Sequence, residues 1–179
     1  MHKLSTRAAD LKALLNFVTD PKEKRAALEG IHITDKYIEA SNGRGLLRVN
    51  REMVSTDAPA GVYKVIGQNK LGAGLVEAII EALDVVYPNT DQVIPAAGNV
   101  ADQIKIPIYS GRGHELSTSS AIIKLFKLTG NGYALELIKS LAPVAAEWIA
   151  SKAAQDKCVR LDHKCGDVEY IAVLMPFKL

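Results

Sequence analysis

Residues 25–49 read "RAALEGIHITDKYIEASNGRGLLRV". From 25 to 33, Leu28, Gly30 and His32 alternate with Glu29, Ile31 and Ile33, the period of a strand with unlike faces. Thr34-Asp35-Lys36 makes a tight turn into a second strand, Tyr37–Ser41. Asn42-Gly43-Arg44-Gly45 is a strong hairpin signal, and Leu46–Asn50 continues as a third strand. Three short strands joined by tight turns predict an antiparallel meander.

Upstream, residues 5–19, "STRAADLKALLNFVT", predict a helix. Ser5 or Thr6 can cap it, Leu11, Leu14, Leu15 and Val18 share one face, and Asp20-Pro21 ends it. Downstream, "TDAPAG" (56–61) breaks the pattern, and "VYKVI" (62–66) is a strand. "GLVEAIIEAL" (74–83) predicts a helix with Leu75, Ile79 and Leu83 as its apolar stripe. "YPNTDQVIPAAGN" (87–99), with two prolines, is the candidate junction between a half at 1–97 and a half at 98–179. "DQIKIPIYS" (102–110) is a strand whose Pro107 suits an edge or a bulge. "GRGHELSTSS" (111–120) is a flexible or capping stretch, and "AIIKLFKL" (121–128) is a short helix stopped by "TGNG". Residues 133–154 predict a long helical region kinked or split at Pro143, with Trp148 as a core anchor. "KCVRLDH" (157–163) and "EYIAVLM" (169–175) close the chain as a hairpin, and Pro176 ends the pairing. The class is α+β with antiparallel sheets.

A chain of 179 residues with 48% apolar and 23% charged residues can bury a real core as one large domain or two small ones. No apolar run approaches the length of a membrane span, and "MHKLSTRAADLK" has no apolar core of a secretory signal. Two cysteines are too few for a disulfide framework, so a reduced, cytoplasmic protein is expected. The net charge of +2 is unevenly spread: +4 over residues 1–70, −5 over 71–102 and +3 over 103–179. Such a polarised surface could steer an anionic ligand to one side; chance clustering on a solvated surface is the other reading.

Chemistry-bearing residues are sparse. Cys158, His163 and Cys165 are metal-ligand types, but strand alternation points Cys158 away from the other two, and no fourth ligand lies nearby. His114 precedes Ser117, Ser119 and Ser120 without the strand–turn–helix context of a nucleophile elbow. "NGRG" and "GRG" are not phosphate-binding loops. Glu77, Glu81 and Asp84, on one helical stretch, form a row that could bind a cation or simply face solvent. Aromatic residues do not interleave with basic ones as in a single-strand nucleic-acid groove. No constellation supports an enzyme, and no cofactor or metal is expected. A small metal-dependent enzyme using His114, His163 and the cysteines is the weakest alternative.

Three stretches, in order, resemble the bacterial sliding clamp, the beta subunit of DNA polymerase III. Residues 25–49 look like the start of the clamp's middle domain, with an Arg, a Leu and a Gly leading into an Ala-Thr-Asp-Gly-His-Arg-Leu motif. That motif reads Ala40-Ser41-Asn42-Gly43-Arg44-Gly45-Leu46 here; Gly43 and Leu46 are kept, while the Thr, Asp, His and Arg positions differ. "YPNTDQVIP" is similar to the clamp's Phe-Pro-Asp-Tyr-x-x-Val-Ile-Pro junction, with Pro88 and Val93 at the same offset. "VLMPFKL" is similar to the clamp's terminal Val-Val-Met-Pro-Met-Arg-Leu. The departures are also plain. The chain is about half a clamp subunit, the family's first domain has no counterpart, and residues 133–154 have no obvious equivalent.

The resemblance implies a clamp-like fold, antiparallel sheets backed by helices, reduced relative to the family. It implies an apolar pocket that accepts short motifs of replication and repair proteins. Carried over, its lining is Ser41, Gly43, Arg44, Gly45, Leu46, Pro88, Val93, Val173, Met175, Pro176, Phe177 and Lys178. Apolar walls with a few polar groups suit a peptide anchored by Leu or Phe, and the same residues could instead close a core between sheets. Lys12, Lys124 and Lys127 would face double-stranded DNA, whereas an acidic helix at 75–84 would repel its phosphates. Two reduced domains per chain would need a trimer to close a ring, and one would need a hexamer. The function implied is a non-enzymatic processivity factor; the alternative is a clamp-like adaptor or modulator that does not encircle DNA.

Overall fold

A computed structural model describes residues 1–98, 103–108, 114–152, 158–166 and 168–176. Among these, eleven strands form one antiparallel sheet. They are β1 (His2–Arg7), β2 (Ile31–Ile33), β3 (Tyr37–Ser41), β4 (Gly45–Asn50), β5 (Ser55–Thr56), β6 (Gly61–Gly72), β7 (Leu75–Leu83), β8 (Gln103–Pro107), β9 (Glu147–Lys152), β10 (Val159–Cys165) and β11 (Val168–Leu174). Their spatial order is β5-β1-β7-β6-β2-β3-β4-β11-β10-β9-β8. The meander of residues 31–50 therefore lies at the middle of the sheet, and the C-terminal hairpin continues it through the β4–β11 pairing, Leu46 opposite Val173.

Helices α1 (Ala8–Asn16), α2 (His114–Thr129) and α3 (Leu135–Leu141) back one face. Strand alternation assigns Ile31, Ile33, Ile38, Ala40, Leu47, Val49, Leu161, Ala172 and Leu174 to that face, and all are buried. They join Leu14 and Phe17 from the α1 side, Leu125 from α2 and Ile138 from α3 in one apolar cluster. Trp148, the expected core anchor, is fully buried within it. Arg7 adds a polar tie across the fold. Its guanidinium makes two bonds to the buried carboxylate of Asp10, at 2.6 and 2.8 Å, and a third to the Tyr170 hydroxyl.

Several sequence expectations are corrected. Residues 74–83 are not a helix: Leu75–Leu83 is strand β7, paired with β6 on one side and β1 on the other. Its buried residues are Val76, Ala78 and Ile80, a period of two. The apolar spacing suited either element; the β6 partner decides, through a two-residue turn at Ala73-Gly74 whose φ values, 48° and 77°, are those of a tight hairpin. Glu77 and Glu81 consequently lie on the face opposite the helices, and Glu77 pairs with Lys3 at 3.1 Å. An acidic helix facing DNA is thus removed from the picture.

Ser5 and Thr6 are not caps. They belong to β1, and α1 starts at Ala8 with Arg7 in the cap position. Its amide end is tied instead to the Gly74 carbonyl, at 2.8 Å. Residues 26–28 form a single 3-10 turn, so the strand expected at 25–33 shrinks to β2. The long helix expected at 133–154 is a seven-residue helix followed by strand β9, because pairing with β8 and β10 satisfies residues 147–152. Pro143 follows α3 rather than kinking it. The short helix expected at 121–128 is the second half of α2, which begins at His114. The edge placement of Pro107 holds: β8 pairs only with β9 among the described strands.

Candidate functional site

The sheet face opposite the helices carries a depression built on the residues quoted first. In the turn of "SNGRG", Asn42 Oδ1 accepts the amides of Arg44 and Gly45 at 2.9 and 3.1 Å. The Ser41 hydroxyl donates to the Gly45 carbonyl at 2.9 Å. This short-range bonding fixes the hairpin and its register, and it brings Ser41, Leu46 and Val173 side by side across β3, β4 and β11. Leu46 and Val173 form a small apolar cluster with Cys158, against which Ile94, Ile171 and Met175 pack. The segment after β7 crosses over this face. The result is a concavity of about 230 Å³ lined by Leu28, Ser41, Gly43, Gly45, Leu46, Pro88, Asn89, Thr90, Val93, Val173 and Met175. That volume suits one or two apolar side chains rather than a whole drug-sized molecule, for which pockets run to about 300–1,000 Å³.

Eight of the twelve residues carried over by resemblance line this concavity. Arg44 stands beside it: its carbonyl accepts the Met175 amide at 2.9 Å, and its exposed side chain reaches Glu23 at 3.8 Å. Pro176 bridges to Tyr133, which ties the tail to the segment before α3. Phe177 and Lys178 lie outside the described residues. At Gly45 the floor is closely packed. A Cβ there would come within 2.8 Å of Leu137 Cδ1, 2.9 Å of Phe17 Cε1 and 3.1 Å of the Val173 carbonyl. The helical layer therefore packs directly behind the pocket floor where the clamp motif has an arginine.

Leu28, Asn89 and Thr90 also line the concavity. Leu28 stands in the stretch that carries the first resemblance, which was its signal. Beneath the wall lies a charged group that burial alone reveals. Glu39 is fully buried, and its carboxylate takes Arg48 Nε at 2.9 Å, the Thr90 hydroxyl at 2.7 Å and His32 Nδ1 at 3.0 Å. Arg48 also donates to Thr90 Oγ1 and pairs with Asp91, at 2.9 and 2.8 Å, with the Tyr37 ring 3.6 Å from its Cζ. The Tyr87 ring stacks on His32 with centroids 4.4 Å apart. Burial, with the Glu39 charge beside it, pushes the Tyr87 phenol well above its ordinary value. The hairpin turn implies the Glu39–Arg48 register, so that pair was legible; its burial was not.

The three lysines assigned to DNA lie on helices of the opposite face. Lys12 is exposed on α1, beside Glu136 and Lys139 of α3. Lys127 is exposed on α2, and Lys124 is half-buried, donating to the Lys105 carbonyl at 3.1 Å. His163 packs against Trp148 and Tyr170, on the other side of the sheet from Cys158. Among the described residues no three His, Cys, Asp or Glu side chains gather as metal ligands. The side chain of His114 lies outside the described residues. No described helix is long and apolar enough to cross a membrane.

An antiparallel sheet backed on one face by short helices defines an α+β fold of the DNA-clamp kind. Solved structures identify it further as the fold of the bacterial sliding clamp. The chain superposes on the DnaN sliding clamp of Bartonella birtlesii bound to griselimycin with a TM-score of 0.56 at 15% identity, over 99% of this chain and 66% of that one. For the DNA polymerase III beta chain of Streptococcus pneumoniae the values are 0.57, 14%, 99% and 65%. For the beta subunit of Borrelia burgdorferi in complex with a natural product they are 0.58, 8%, 99% and 63%. The chain thus has a divergent, clamp-like fold and spans just under two thirds of the clamps it matches. No protein-family model and no curated protein matches the sequence.

Proposed function

We propose that this chain is a sliding-clamp-like replication factor that docks short linear motifs of replication or repair proteins in the Leu46–Val173–Met175 concavity. The observation that supports this most is convergence. Three stretches separated by about 40 and 80 residues supply the walls of one apolar depression, in the order the clamp motif would need. Apolar walls from Leu28, Leu46, Pro88, Val93, Val173 and Met175, with polar groups at Ser41, Asn89 and Thr90, suit a peptide anchored by Leu or Phe side chains. The thioether of Met175 adapts to more than one partner. The proposed activity is binding rather than catalysis.

Retention on double-stranded DNA belongs to the same proposal, with the helical face toward the duplex. Lys12 and Lys127 favour that orientation, and the acidic residues of β7 lie on the far face. Among the described residues β8 ends the sheet on one side and short β5 on the other, and these edges suit head-to-tail addition of further copies. Organisation as halves 1–97 and 98–179 corresponds to a trimer, and a single domain to a hexamer. A monomer in solution supports the non-ring adaptor instead.

The pocket is tested with a fluorescein-labelled clamp-motif peptide carrying Leu and Phe anchors. Wild type binds it, and Met175→Ala combined with removal of residues 177–179 weakens binding about tenfold or more. Equal binding by both forms, or none by the wild type, refutes the assignment.

A further inference from the structure

The wall of the concavity formed by residues 87–95 has no place in the sheet. Among the described residues, its backbone–backbone hydrogen bonds are internal only: the amides of Val93 and Ile94 both reach the Thr90 carbonyl, at 3.0 and 3.1 Å. Beyond the packing of Ile94 and the stacked Tyr87, its ties to the sheet are side-chain bonds: the Thr90 hydroxyl donates to buried Glu39 at 2.7 Å, and two arginines add the others. Arg48 of β4 holds Thr90 and Asp91 while its Nε grips buried Glu39. Arg160 of β10 donates to the Pro95 carbonyl at 2.8 Å, oriented by Asp162 at 2.8–3.0 Å. Both arginines are largely buried, with side chains 13% and 17% exposed. They stand on the pocket side of the sheet: Arg160 is the cross-strand neighbour of Val173, and Arg48 lies two residues from Leu46 on the same face.

We propose that Arg48 and Arg160 form a two-point clasp that presets this wall, so that the concavity exists before a peptide arrives; this rests on the pocket reading above. A loop without ladder bonds opens locally at little cost, and a pocket populated only part of the time binds with proportionally lower apparent affinity. The clasp removes that loss. Glu39 is the fixed point. A fully buried carboxylate keeps its partners because an unpaired buried charge is strongly unfavourable, so the guanidinium that satisfies it is immobile and its two remaining nitrogens hold the wall. Lysine cannot replace this fork: it offers a point charge to Glu39 but not three divergent donors in one plane. Arg48 and Arg160 are positioning residues, since neither lines the concavity.

The test uses Arg48→Lys in the full chain, with Arg160→Lys as a second, independent variant. Hydrogen exchange in the free protein is read at Val93 and Ile94 and, as reference, at Ala40, Leu47 and Ala172 in the sheet. Binding of the labelled clamp-motif peptide is followed by stopped flow. The expected result is exchange at Val93 and Ile94 at least tenfold faster with the sheet amides unchanged, and a peptide Kd raised five- to tenfold through a slower association rate. A merely structural role would accelerate wall and sheet amides together, and that outcome overturns the proposal. So does unchanged exchange at Val93 and Ile94 in both variants. Should Arg48→Lys fail to fold, Arg160→Lys carries the same criteria. Faster wall exchange with no peptide binding by the wild type overturns the pocket reading but leaves the clasp in place; wild-type binding with unchanged exchange does the reverse.

Discussion

Gly45→Ala adds one methyl group at the point where the pocket floor meets the helical layer. Its Cβ would sit 2.8 Å from Leu137 Cδ1, 2.9 Å from Phe17 Cε1 and 3.1 Å from the Val173 carbonyl. Carbon atoms rest at about 3.5–4.0 Å, so Leu137 and Phe17 must each retreat by at least about 0.6 Å. Leu137 has rotamer freedom. Phe17 is fully buried in the core, and the Val173 carbonyl belongs to backbone paired with β4. Overpacking of this kind costs about 1–3 kcal/mol. Replacing a strand glycine by alanine returns roughly 0.5–1 kcal/mol of unfolded-state entropy. The net is a destabilisation of about 1–2 kcal/mol, a fall in Tm of roughly 2–8 °C at this chain length. Calorimetry of Gly45→Ala measures it. The same substitution in a Leu137→Ala background is the sharper assay, because the space then exists; the two changes should depart from additivity by about 0.5–1 kcal/mol. A Gly45→Ala protein that melts at or above the wild type, or a strictly additive cycle, would refute the packing described.

Burial raises the phenols of Tyr87 and Tyr170 above their ordinary value of 10, with Glu39 and Asp10 respectively adding to the shift. A raised folded-state value means stability that is complete below pH 10 and is lost as pH climbs above it; Tyr87→Phe should flatten that alkaline decline in a pH series of urea melts. Ala73 occupies a left-handed conformation at φ 48°, which strains an L-residue by about 1–2 kcal/mol; glycine offsets roughly 0.5–1 kcal/mol of that relief through unfolded-state entropy, so Ala73→Gly should raise Tm by about 1–4 °C. Asp10→Asn leaves the Arg7 guanidinium with a weakened partner beside Tyr170 and should cost about 1–3 kcal/mol, read as a lower urea midpoint at unchanged slope. Trp148→Ala empties a fully buried site and should cost about 3–5 kcal/mol, read as a lower urea midpoint.

The sequence by itself determined the meander at 31–50 and the closing hairpin, because alternation and turn chemistry act within a few residues. Which three stretches meet at the concavity, those around Gly43, Pro88 and Met175, was implied by the resemblance to the clamp rather than by the residues themselves, and the fold brings them together. The sequence did not determine β7. Apolar residues at Leu75, Ile79 and Leu83 suit a helix until β6 and β1 present their edges, and those partners lie elsewhere in the chain. The same holds for residues 147–152, which β8 and β10 draw into the sheet, and for Ser5 and Thr6, taken into β1. The deepest part of the site was decided by tertiary structure alone. A glutamate at 39 reads as a solvent-facing strand residue until the crossing segment at 87–95 buries it. Only then do Arg48 and Thr90 become its obligatory partners, because a carboxylate removed from water must find its hydrogen bonds within the protein.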